Sequence, residues 1–134
     1  PAATNFPNLN FIVEHVGLPR LEDMCWIGIQ EPNVYGGLAV AMPFIHTRPK
    51  YFGQILGELI YWMGDDRLLF ASDYAIWQPK WLVEMFVDYQ IPGDQASELA
   101  ALTPDTKRKI LGLNAARLYD LEVPAEVPKP AVPA

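Results

Sequence analysis

An α/β domain organised on a parallel sheet is what this 134-residue sequence predicts, and three features predict it. Short apolar runs rich in β-branched residues are bounded by turn signals, the pattern of strands buried on both faces. Between them lie segments with apolar residues at three- and four-residue spacing, the pattern of amphipathic helices. The two kinds alternate along the chain, which implies right-handed βαβ crossovers and parallel strands.

The elements follow in order. Residues 1–7 form a polar lead-in without periodicity, expected to be extended. Asn8 to His15 is the first strand, with Phe11, Ile12 and Val13 at its centre and Val16-Gly17-Leu18-Pro19 ending it. Arg20 to Gln30 reads as a helix with Leu21, Met24, Cys25 and Ile29 on one face, broken by Glu31-Pro32-Asn33. Asn33 to Val40 is the second strand, its glycine pair marking a bulge or a close backbone approach. Residues 41–47 read as loop. The strongest helix is Pro49 to Met63: proline suits its first turn, Phe52, Ile55, Leu56, Leu59, Ile60 and Met63 share a face, and Gly64 is placed to close it with a left-handed cap. Asp65-Asp66 leads into the third strand, Arg67 to Ala75. Trp81 to Tyr89 is amphipathic again. Thr103-Pro104-Asp105 opens a last helix with a hydroxyl cap, a proline and an acid, running to about Leu121. Val123 to Ala134 is Pro/Ala/Val-rich and reads as an extended tail.

Composition narrows the function. The chain is 51% hydrophobic and 19% charged, a globular balance. A net charge of −6 without a basic cluster argues against nucleic acid as the partner, since duplex binding rests on neutralising phosphates. No apolar run reaches the length of a membrane span and no signal-peptide pattern opens the chain. One cysteine, Cys25, cannot form an internal disulfide, so a cytoplasmic setting is expected. In parallel sheets ligands bind beyond the carboxyl ends of the strands. His15 and Asp73 stand at two such ends and are the candidate working residues.

The motifs also carry a family resemblance. Phe6 to Gly17, with its strand and histidine, is similar to a motif of the amidohydrolase-related (amidohydrolase 2) family. Arg67-Leu68-Leu69-Phe70-Ala71-Ser72-Asp73-Tyr74 resembles that family's serine–aspartate–tyrosine signature. Lys109 to Leu121 looks like its closing helix, and Asn33-Val34-Tyr35 like the strand between. Motifs in this order are more specific together than singly. The resemblance implies the C-terminal part of a TIM-like (β/α)8 barrel, about three βα units like strands 6 to 8. Residues 1–122 would be the partial barrel, its parallel sheet incomplete in this chain, and 123–134 the tail.

What the resemblance implies chemically is metal-dependent hydrolysis or non-oxidative decarboxylation of a small organic substrate. His15 would match a histidine that contacts substrate or assists proton transfer. Asp73 would match the carboxylate that binds the metal or takes a proton from its water. The family's His-x-His pair has no counterpart here, nor has the ligand near its fifth strand. Ala71 and Ala75 stand where glycine and proline are usual. The divalent metal, zinc first among candidates, is therefore expected only in a completed site, possible only with another protein chain supplying the missing strands. The chain alone is expected to be inactive and part of an oligomer. The competing expectation is a non-catalytic accessory subunit docking through its sheet edges and tail.

Other residues read more plainly. His46 is a loop histidine. Arg20 and Arg48 could bind a carboxylate through their planar forks but sit beside prolines or turns at the surface. Glu14, preceding His15, reads as an ion-pair partner on the other side of the strand. Cys25 reads as core, and Trp62, Trp77, Trp81 and Tyr89 could line a pocket but read first as packing.

Overall fold

The computed structural model describes residues 2–125. Its centre is a parallel sheet of three strands in the order β1-β2-β3. These are β1 (Phe11–Val13), β2 (Val34–Gly37) and β3 (Leu68–Leu69). In register, Phe11 faces Val34, Val13 faces Gly36, and Leu69 faces Gly37. Helices α1 (Ala2–Asn5), α2 (Leu21–Gln30), α3 (Phe44–Thr47), α4 (Pro49–Met63), α5 (Pro79–Asp88), α6 (Pro104–Arg108) and α7 (Asn114–Leu118) complete it. The alternation of strands and helices expected from the sequence is therefore present.

Among the described residues one face of the sheet packs on the core, whereas the other is open at β1 although Leu69 of β3 is buried on it. Val34 and Leu68 pack with Met24 and Cys25 of α2 and with Phe52, Ile55, Leu56 and Leu59 of α4 in a single core. The α4 residues are those that the periodicity placed on its buried face, and Pro49 opens that helix. Alternation along the strands sends Ile12 and Tyr35 to the opposite side. Ile12 is 36% exposed there, in a strand whose neighbours Phe11 and Val13 pack on the core.

The strands are shorter than expected, for a visible reason. Leu38 donates its N–H to the Leu69 carbonyl at 3.0 Å, and its own carbonyl then accepts from Met42, so β2 turns away. With no partner left, β3 stops after Leu69. Phe70 donates instead to the Ile110 carbonyl at 2.9 Å. That carbonyl is free because the last helix widens to a π-turn over Lys109–Leu113, where the Asn114 N–H bonds Lys109 rather than Ile110. Gly64 has the positive φ expected of a cap, 76°, but ψ of 174° sends the chain straight out toward β3.

The lead-in is not extended. Ala2–Asn5 makes a helical turn, held by the Asn33 amide, which donates to the carbonyls of Ala3, Phe6 and Leu9. Residues 41–47, expected as loop, contain α3. Thr103 caps α6 as expected, its hydroxyl accepting from the Thr106 N–H at 3.1 Å. Of the tail, residues 126–134 lie outside the described residues. No helix among the described residues is long and apolar enough to cross a membrane.

Candidate functional site

The carboxyl ends of the three strands define one end of the sheet, and both sequence candidates lie there. His15 follows β1 in a short 3-10 segment, exposed, with φ of 59°. Asp73 follows β3, half-buried, with φ of 58°. Left-handed backbone is uncommon for residues other than glycine and clusters where a fold holds a side chain in place. Val16, β-branched and fully buried, shares this conformation at 46°, so its packing holds the His15 turn. The Asp73 turn is closed by the Ile76 N–H on the Asp73 carbonyl at 2.9 Å.

The two residues follow strands that are not neighbours in the sheet. β1 and β3 are separated by β2, which sets their axes about 10 Å apart. A small molecule could stand between them.

Over the central strand stands a third group. Glu14 follows Ile12 on the uncovered side, and its carboxylate lies against Gly37 at the end of β2. A Cβ on Gly37 would come within 2.5 Å of a Glu14 carboxylate oxygen. The adjacent Gly36 points the other way, toward Met24, Val16 and Leu68 on the covered side. Gly37 is thus the position where a missing side chain makes room for Glu14. Among the described residues Glu14 has no ion-pair partner, so the expectation of a structural ion pair does not hold. The signal for it was the period of two from Ile12, which places residue 14 on the open face.

The remaining candidates are accounted for elsewhere. His46 is exposed in α3. The Arg48 guanidinium stacks 4.3 Å over the Tyr51 ring, and Arg20 pairs with Asp23. Tyr89 is buried and donates its hydroxyl to the Pro49 carbonyl at 2.7 Å. Trp77 packs on the core, whereas Trp81 is exposed. Among the described residues no group of three or more His, Cys, Asp or Glu side chains is gathered to hold a metal ion. A catalytic zinc requires about three protein ligands, so these residues do not by themselves fit one.

The fold has relatives of known structure. An amidohydrolase from Burkholderia multivorans with bound zinc superposes with a TM-score of 0.64 at 17% identity, covering 90% of this chain and 47% of that one. The same description with bound HEPES gives 0.60 at 18%, with the same coverage. A 2,6-dihydroxybenzoate decarboxylase, complexed with 2,6-dihydroxybenzoate, gives 0.55 at 20%, covering 87% of this chain and 36% of that one. The chain thus spans about half the length of the solved amidohydrolases it matches, and its sheet is consistent with part of their barrel. No curated protein matches it. The family model described as amidohydrolase matches residues 1–121, nearly the whole chain, and on that match the chain belongs to the amidohydrolase family.

Proposed function

We propose that this chain contributes one portion of an amidohydrolase-type site, for hydrolysis or non-oxidative decarboxylation of a small organic substrate, completed by strands from another chain. Its three strands would be like the sixth to eighth of the barrel. The observation that carries the reading is the placement of His15, Asp73 and Glu14 at the carboxyl end of one three-stranded sheet.

In this reading Asp73 is the chain's contribution to a divalent metal, which when bound would supply Lewis-acid chemistry and whose further ligands would come from the partner. His15 would contact the substrate or move a proton. Glu14 would accept hydrogen bonds from substrate hydroxyl or N–H groups over Gly37. Two carboxylates beside one histidine give this portion of the site a negative character. A substrate that is itself a carboxylate, as in the decarboxylase relative, would therefore depend on positive charge supplied by the metal or the partner.

The test is isolation of the native assembly through a tag on this chain, with metal analysis and identification of the other chain. The expected result is a partner carrying a His-x-His strand, bound zinc, and loss of that zinc on Asp73→Asn. A metal-free assembly whose activity survives both Asp73→Asn and His15→Ala would overturn the reading in favour of the accessory subunit.

A further inference from the structure

A cleft of about 480 Å³ lies between α2 and α4, and neither His15, Asp73 nor Glu14 lines it. Leu21, Cys25, Trp26 and Trp62 give it apolar walls, and Glu22, Asp23 and Glu58 bring carboxylates to it. All of its lining residues come from α2 and α4 of this chain.

Three features of the lining point the same way. Trp26 and Trp62 meet edge to face with centroids 6.4 Å apart, and Trp26 is 60% exposed. The Trp62 indole N–H holds one Glu58 oxygen at 3.1 Å, fixing that carboxylate and leaving its other oxygen to accept. Among the described residues the lining contains no lysine, arginine or histidine. Asp23 already has a cation in Arg20, but Glu58 and Glu22 have no ion-pair partner among the described residues. Their joint field reaches the buried Cys25 thiol at the cleft, where both charges act on it.

Tryptophan faces attract cations through the ring quadrupole, and nearby carboxylates add to that attraction once a hydrophobic body displaces water. An anion would be repelled, and a neutral apolar guest would leave the carboxylates facing it without a partner. We infer that the α2–α4 cleft binds a small organic cation, an ammonium carried on a short alkyl body, against Trp26, Trp62 and Glu58. This goes beyond the site at the strand ends and does not depend on it.

The test uses the full chain at constant ionic strength, following the indole N–H signals of its tryptophans by NMR. Tetramethylammonium is the probe, and 2,2-dimethylpropan-1-ol is the neutral molecule of similar shape. The expected result is a saturable shift of the Trp26 and Trp62 signals, assigned through Trp26→Phe and Trp62→Phe, with Trp77 and Trp81 unmoved. Binding of the cation should be stronger than that of the alcohol by roughly two- to thirty-fold. Glu58→Gln keeps an acceptor for the Trp62 indole and should weaken only the cation. Equal binding of the alcohol, equal shifts at all four tryptophans, or unchanged binding in a folded Glu58→Gln variant would overturn the inference. If that variant fails to fold, Glu22→Gln on the exposed side supplies the same comparison.

Discussion

Arg67 is a polar position where a single substitution should damage this fold strongly. It stands just before β3, half-buried, and its guanidinium donates to four backbone carbonyls. One terminal nitrogen reaches Glu31 at 2.8 Å and Val34 at 3.0 Å; the other reaches Gly28 at 2.7 Å and Met63 at 3.1 Å. Gly28 lies in the last turn of α2 and Met63 ends α4, so one cation satisfies carbonyls at two helix C-termini and the entry to β2. Burial lowers the Arg67 pKa, against the nearby Tyr35 and Asp66 that favour the charge. Arg67→Met removes all four bonds while keeping an apolar stem. If water can reach half of the freed carbonyls, the other two cost about 1.5–2 kcal/mol each, roughly 3–4 kcal/mol in total. For a domain of this size that corresponds to a fall in Tm of about 10–20 °C. Arg67→Lys keeps the charge but not the fork and should fall between the two. Urea titration with circular dichroism would measure both. A loss below about 1 kcal/mol in Arg67→Met would refute the claim that this cation ties the helix ends to the sheet.

Three further outcomes follow from the same geometry. Cys25 is 4% exposed, and burial first, then the charges of Glu58 and Glu22, push its thiol up to about 11. Roughly one molecule in a thousand is thiolate at pH 8, so iodoacetamide should label the folded chain far more slowly than the urea-unfolded chain; equal rates would contradict the packing. Burial of Asp65 raises its pKa, but hydrogen bonds from Lys109 and Thr106 and the Lys109 charge outweigh this and hold it below its ordinary value. Its stabilisation is therefore full above about pH 4 and lost as pH falls through the lower folded-state value, so Asp65→Asn should flatten the acid limb of a stability–pH curve, and an unchanged limb would count against the pairing. The Phe70 amide, bonded to Ile110, should exchange with deuterium more slowly than that of Ile12; the reverse order would mean that the π-turn does not cover β3.

The legible parts of this fold are those where local chemistry and tertiary structure agree. Pro49, the apolar face from Phe52 to Met63 and Gly64 specify α4 before any neighbour is known, and Thr103-Pro104-Asp105 does the same for α6. Strand ends were less legible because pairing stops where the neighbour turns, a property of Leu38 and not of Phe70. The left-handed backbone at His15 and Asp73 carries no glycine to announce it. Glu14 was within reach of the two-residue period, but its placement depends on an absent side chain two elements away, at Gly37. Arg67 was beyond reach: its four acceptors come from segments joined only by the fold.

The two edges of the sheet are not equivalent, and this bears on how another chain would join it. β3 turns the carbonyls of Arg67 and Leu69 toward β2. Two of its outward groups are already engaged: the Leu68 carbonyl accepts from the Asn114 amide at 2.9 Å, and the Phe70 N–H donates to Ile110. The last helix thus does at this edge what a neighbouring strand would do. Among the described residues β1 has no such cover. The Phe11 N–H bonds Asn33 toward β2 at 2.8 Å, so alternation turns the peptide groups of Ile12 outward, where no strand lies beside them. An open edge is a template for strand addition, and a closed one resists it. Strands supplied by a partner would therefore add first at β1. Pairing at β3 would require Ile110 and Asn114 to release their bonds, a rearrangement centred on the π-turn that freed the Ile110 carbonyl.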